Sequence, residues 1–582
     1  MMTTSNRTLH TVRVFDTSAD RKTAVELIAK MKEVKELVES SEWNVTVIAV
    51  TGDAAGESRR ARLDLGVLFP ELLLPDCYGH QINLIVGDYF GVPYTLLLLD
   101  KADDATELIT WLRSKTYVLA QVRVIQEVNH FQVLSVIQAV ISRWTAHYLA
   151  FKRLLELRLP LEMMVRQDRL KDVSQICTGK RKAREKAERM FEVIEDPVFW
   201  HSVLRLKRHL EPLALAANIT QLTHVRPDQV LVVFGLLYAE YQLVKDQDTD
   251  IETKILVDAI QASIEKRWAK TDQEVFIVAL ILNPLYKTKP FTYLDITTAA
   301  GLLELVKKLY RRFFGTLSAD ESHELFQELG DYLNGMGIYR NLENYAQDLV
   351  RQARELGEHL DPVKAWDGVR HLSRPRTPLQ KLAHRIHSIT TNSASCERLF
   401  SAFGTTLTRL RSRLRSKSMV DLAELRVHLR NEHVREGRVK ARLKRKMTTH
   451  DDTTTDGADP ATTNQVEPQL AIANADDDSP DEDIDQERAA SASESGSLRS
   501  VATRHSHTEA DEPSPQETIN SRRIADIFDF TTDTWRQLAK EFALRGLNEE
   551  QEFYELVDLD AGGEDEETEE LLNEVTQSAL RV

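Results

Sequence analysis

The chain has 582 residues, 42% of them hydrophobic, which suffices for at least one large core and sets a soft prior of three or four domains. Its three cysteines, Cys77, Cys177 and Cys396, are too few and too scattered for a disulfide framework or a Cys/His zinc finger, which points to a reducing compartment. No apolar run approaches the roughly 20 residues that span a bilayer, so no membrane partner is expected.

The formal charge of −16 hides a division: Asp451–Val582 holds 35 acidic and 9 basic residues, while the preceding 450 residues hold 56 acidic and 66 basic. A basic body gains affinity for phosphates by releasing counterions, and an acidic tail would shield that surface. A tail that is merely solvated is the plainer alternative.

From Leu9 to about Trp144, strand-like runs alternate with amphipathic helices. Thr11–Phe15 reads as a strand, Thr23–Leu37 spaces its apolar residues three and four apart as a helix does, and Val45–Val50 is a buried β-branched strand ending at Asp53. Small residues and Gly56 then open a helix that Asp53 is placed to cap. This order predicts an α/β sheet. Asp76–Asp88 sets Cys77 and His80 three apart at the start of an apolar helix. No second ligand pair follows at zinc-finger spacing, so a structural role is expected for both, a buried thiol beside a locally bonded histidine. Arg143 and Trp144 follow within Ser142–Thr145.

From Tyr148 to about Asp361 the pattern turns helical, with apolar stripes over Pro197–Leu213, Asp228–Val244 and Ile255–Trp268. Val275–Pro284 is apolar on all sides, so it is predicted to be buried and to stop at Pro284. Pro378–Asn392 leads into Thr391–Ser401, T-N-S-A-S-C-E-R-L-F-S, which sets Glu397 among small and apolar residues near the start of a helix. An acid there also favours the positive end of its helix. Arg409–Lys417, containing Arg409, Arg411, Arg413 and Arg415, and Arg435–Lys446 are candidate contacts for a DNA backbone or a nuclear-import receptor. Lys180–Lys186 interleaves Glu with its basic residues and reads as an ordinary exposed helix. After Met447 the composition predicts a disordered linker, and short amphipathic helices interspersed with acids, around Ile524–Phe542 and Gln551–Leu556, are a candidate docking segment for a protein partner.

The Asp53 strand end, the C-x-x-H helix, the R-W pair and the S-A-S-x-E-R-x-F-S block, in this order, resemble the hAT family of DNA transposases over roughly Leu9 to Arg435. The resemblance implies a ribonuclease-H-like α/β domain, in two parts at 9–147 and 361–435, interrupted by an all-helical insertion at 148–360. The second part would carry the hAT dimerisation region. A basic then acidic disordered linker (436–523) and a short acidic helical tail (524–582) would follow. Asp53 and Glu397 match the second Asp and the Glu of the family's Asp-Asp-Glu metal triad, which makes them the expected catalytic and metal-binding residues. Mg²⁺ or Mn²⁺ is the implied cofactor, and no zinc is expected. Arg143 and Trp144 match a pair that lies beside the DNA. The first Asp has no match, since Asp16 follows a later strand, and the chain is expected to be truncated at its N-terminus and to lack the family's zinc finger. The expected function is that of a nuclear, transposase-derived protein that dimerises and binds DNA with catalysis lost. The alternatives are an active transposase with an incomplete start, performing two-metal cleavage and strand transfer, and a non-DNA scaffold acting through its acidic tail.

Overall fold

The computed structural model describes residues 1–406 apart from 16, 18–19, 42, 54–55, 138–143, 223, 356–359 and 372, short pieces between 418 and 429, and residues 521–560. It divides into a body, Met1–Glu397 with Leu498–Val582, and a second unit, Arg398–Ser497.

The expected ribonuclease-H-like α/β sheet is not what the described residues form. They are mostly helical, and their one sheet is a two-stranded antiparallel pair, β1 (Met2–Thr3) and β2 (Leu9–His10), with Met2 opposite His10. Thr11–Phe15 and Val45–Val50, both read as strands, form no ladder. The second run contributes to a parallel contact with the stretch around Leu73, bridged at Ala49–Leu73 and again at Gly52–Asp76. β-branched residues suit a half-buried pleated surface, but a sheet needs partners along the whole run, and here the partner is a few residues long.

Helices α1 (Ala24–Glu39) and α2 (Gly56–Leu68) pack on each other, α1 starting at Thr23, whose hydroxyl accepts the Glu26 N–H. α3 (Tyr78–Phe90) is apolar almost all round and is followed by α4 (Leu96–Arg113) and α5 (Thr116–Val128). Next come α6 (Trp144–Glu156), α7 (Arg158–Arg169), α8 (Arg181–Glu195) and the long α9 (Pro197–Thr220), which Asp196 caps and which has Pro197 at its first position, where no donor is lost. α10 (Pro227–Gln247), α11 (Ile251–Ala269) and α12 (Gln273–Ile281) complete the centre. Val275–Leu282 is buried throughout, as its composition predicts, and the helix stops at Ile281, ahead of Pro284.

α9 lies at the middle of the body, against α3, α4, α6 and α10, while α3 also packs on α11. α13 (Ala299–Phe314) and α14 (Ala319–Asn334) follow, the latter opened by a Ser318–Glu321 capping box. α15 (Leu342–Glu355), α16 (Pro362–Gly368), α17 (Pro378–His387) and α18 (Ala394–Thr406) come next, and α19 (Ile524–Ile527) and α20 (Thr534–Asp560) are the last described helices. No single helix among the described residues is long and apolar enough to cross a membrane. α3 and the following Pro93–Arg113 pass that test only as a pair bent by 85°, and both bury most of their apolar residues in the core, Leu96 and Leu97 being exposed.

Buried charges brace the base of α17. Arg7 grips Asp361 through two nitrogens at 2.8 and 2.9 Å and donates a third bond, 2.6 Å, to the His387 carbonyl. Burial alone would raise the Asp361 carboxyl, but Arg7 holds it down at about 2. Asp228 is wholly buried beside Arg226, Asn283 and His387, which together outweigh its desolvation and keep it well below the usual carboxylate range.

Candidate functional site

Asp53 stands at the end of the short parallel contact. The Val50 N–H donates to the Leu73 carbonyl (2.9 Å), Leu73 donates to Ile48 (3.1 Å), and the Cys77 N–H donates to the Gly52 carbonyl (2.8 Å). α2 then turns Arg62 back beneath this loop. Its guanidinium, 1% exposed, donates to the Asp53 carbonyl (2.7 Å), to Ser58 Oγ (3.3 Å) and to the Asp76 carboxylate. A Cβ at Gly52 would collide with Arg62 Nη1, so only glycine lets the chain pass this close. The Asp53 side chain remains exposed. Its carbonyl, not a capping carboxylate, is the atom that ties it to α2.

The segment leading to Glu397 is hydrogen-bonded to the same stretch of chain. Thr51 Oγ1 donates to the Thr390 carbonyl (2.6 Å), the Tyr78 N–H donates to the Thr391 carbonyl (3.1 Å), and the Ser393 N–H points at Cys77 Sγ (3.2 Å). Thr391 and Asn392 are fixed beneath by bonds to the Val225, Thr220 and Leu222 carbonyls. α18 starts at once, with Glu397 in its first turn and exposed. Burial pushes the Cys77 thiol up, bonding with Ser393 opposes that, and the negative charge of Glu397 adds to the rise. Asp53 and Glu397 thus both issue from segments hydrogen-bonded to Cys77.

Cys77 caps α3 as a buried free thiol, and His80 lies half-buried one turn on. Trp144 opens α6 with its ring buried and its indole N–H donating to Asn83 Oδ1 on α3 (2.9 Å), so a base could stack on it only if that contact opened. Arg143, Arg409, Arg411, Arg413, Arg415 and the linker from 436 to 520 lie outside the described residues. Arg62 and Asp76 were not singled out by sequence reasoning. For Asp76 a signal existed, an acid just before the C-x-x-H helix, but nothing local marks Arg62 as buried.

For a divalent cation the described residues are a poor fit: no three His, Cys, Asp or Glu side chains among them converge as ligands, and Asp76 is engaged by Arg62. They supply two exposed acids, Asp53 and Glu397, on segments that both bond to Cys77.

Residues 341–426 match the hAT family C-terminal dimerisation region. The match runs from the residue before α15 through α18 and includes Glu397. It supports a protein related to the hAT transposases and able to dimerise. Comparison with curated proteins gives no match.

Proposed function

We propose that this chain is a self-associating relative of the hAT transposases that binds DNA in the nucleus, with catalysis lost. The dimerisation region at 341–426 carries this reading. DNA contact is assigned to Arg409, Arg411, Arg413 and Arg415, which fall within that matched stretch, and to Arg143. The excess of basic residues over the first 450 positions agrees with it. The loss of catalysis is inferred from the donor set, in which Asp53 and Glu397 find no third ligand among the described residues.

Light scattering on the purified chain tests self-association, which a monomer at tens of micromolar would refute. Anisotropy of a labelled duplex across a salt series tests DNA binding. Each phosphate contact contributes about 0.9 to the slope of log affinity against log salt, so replacing the four arginines with Ala lowers the slope by up to about 3.6. An unchanged slope assigns them to a solvated face.

A second reading, Mg²⁺- or Mn²⁺-dependent DNA cleavage, is favoured by the bonds that tie the Asp53 loop, through Gly52, and the Glu397 segment, through Ser393, to the same Cys77. Nicking of labelled DNA that disappears in both Asp53→Ala and Glu397→Ala would establish it over the first.

A further inference from the structure

Residues 521–547 return to the body, which is shaped to receive them. Arg522 exchanges bonds with the Gln273 side chain, its N–H donating at 2.9 Å and its carbonyl accepting at 3.0 Å, and that carbonyl also accepts from the Trp268 indole (2.7 Å). The Glu265 carboxylate accepts the N–H groups of Ile524 and Ala525, the free donors at the start of α19. The chain then adds to the body as a strand would: Phe528 bridges Phe291 in antiparallel sense, Thr292 donates to the Ile527 carbonyl (3.0 Å), and Asp529 donates to the Pro290 carbonyl (2.8 Å).

Side chains supply the selectivity. Ile524, Ile527, Phe528, Trp535 and Ala539 are buried, and Phe530 stacks on Tyr238 with ring centres 5.4 Å apart. The Phe528 ring fills a notch over Gly235 in mid-α10, where a Cβ would sit 2.7 Å from the ring. Glycine is disfavoured inside a helix, so the notch has a cost that its occupant explains. Lys540–Glu240 (2.7 Å) and Arg354–Glu541 (2.8 Å) form a polar rim. A short continuous segment with paired backbone and anchored apolar side chains is how peptides are recognised in grooves.

We propose that residues 521–547 are exchanged between copies of this chain, each segment filling the groove of the other copy. The proposal rests on the self-association reading. Every contact made within one copy is available unchanged across two, which is the condition for low-cost domain exchange. Between the last described residue near 429 and residue 521 stands a stretch of about 90 residues, able to reach roughly 300 Å when extended. The covalent chain therefore does not dictate whose groove is filled. In a pair held by region 341–426 the second groove competes at the high local concentration that tethering provides.

The test mixes full-length Phe291→Cys chains with full-length Phe528→Cys chains carrying a tag of different mass. Opposed residues of an antiparallel pair have Cα atoms about 4.5–5.5 Å apart, within disulfide reach. Under mild oxidation a disulfide between the two unlike chains is expected. A mixture that yields none overturns exchange, whatever the doubly substituted chain does within itself. As a second measurement, the full-length Phe528→Ala/Trp535→Ala variant, whose groove is vacated, is titrated with a labelled peptide of residues 521–547. Saturable binding is expected, weakened at least tenfold when Gly235→Leu is added, and absence of binding overturns the docking site. Light scattering on the wild-type chain keeps the two readings apart: a dimer without the mixed disulfide refutes exchange alone, and a monomer refutes self-association itself.

Discussion

Replacing Arg62 with Met removes the charge that holds the Asp53 loop while keeping most of the side-chain volume. The guanidinium side chain is 2% exposed and the Asp76 side chain 17%, so the substitution leaves a largely desolvated carboxylate without its cation. Breaking a buried pair from one side costs about 3–5 kcal/mol, and the partial exposure of Asp76 puts Arg62→Met near the lower figure, about 3 kcal/mol. Asp76→Asn strands the more deeply buried partner and is expected to cost at least as much. The double variant Arg62→Met/Asp76→Asn buries no unpaired charge, so its loss falls short of the sum by about 2–3 kcal/mol. Gly52→Ala adds a check, since its Cβ meets Arg62 Nη1 and its cost should shrink when Arg62 is already Met. Urea melts give the global changes, and hydrogen exchange over residues 45–62 and 73–80 reports whether the opening is local. Additivity of the two substitutions within about 0.5 kcal/mol would refute the view that this pair fixes the Asp53 loop.

Acid should unfold the body in two stages. His209 is buried against Tyr89 and flanked by Arg205 and Arg208, and burial followed by these charges lowers it to about 4 from 6.5. A histidine held neutral in the fold gives stability that is complete above 6.5 and is lost as pH falls toward 4, about 3 kcal/mol; Asp361, at about 2 against 3.8, adds a loss of about 2 kcal/mol between 4 and 2. Chemical denaturation across pH checks both, and a His209→Gln profile as steep as wild type between 6.5 and 4 would remove histidine as the cause. Cys77→Val keeps the buried volume but cannot accept the Ser393 N–H, so a loss of about 1 kcal/mol is expected, with faster hydrogen exchange at 390–397. Deleting 451–520, which holds 18 acidic and 3 basic residues, should strengthen nonspecific DNA binding at low salt, and unchanged anisotropy titrations would end the shielding idea.

What the sequence disclosed was helical. The three-and-four spacing over Thr23–Leu37 becomes α1, the all-apolar run after Val275 becomes a helix buried on every side, and Glu397 lies in the first turn of its helix as its small neighbours suggest. These properties are set within one or two turns of chain, where periodicity is informative. Pairing is not local. Val45–Val50 has the composition of a strand, yet its partner around Leu73 is brief, so a run that alternation would place in a sheet ends as two bridges. Arg62 shows the same limit for charge: on a helix just after Arg59 and Arg60 it reads as solvent-facing, and its burial is decided by Asp76 and the Asp53 carbonyl. The terminal helices read as a docking segment for a separate protein, whereas their described contacts are with this same body, the Gly235 notch among them, nearly 300 residues upstream.

One peptide joins what the chain keeps far apart. Cys77 donates its N–H to the Gly52 carbonyl and offers its sulfur to the Ser393 N–H, while the next residue, Tyr78, donates to Thr391. The loop bearing Asp53 and the segment launching Glu397 are therefore referred to the same few atoms, and neither can shift without straining bonds that hold the other. Residues 390–397 also fall inside the stretch matching the dimerisation region. A displacement of that stretch on self-association would pass through Ser393 and Thr391 to Cys77, and from Cys77 to Gly52. The bonds through Cys77 thereby tie the Asp53 loop to the stretch that matches the dimerisation region.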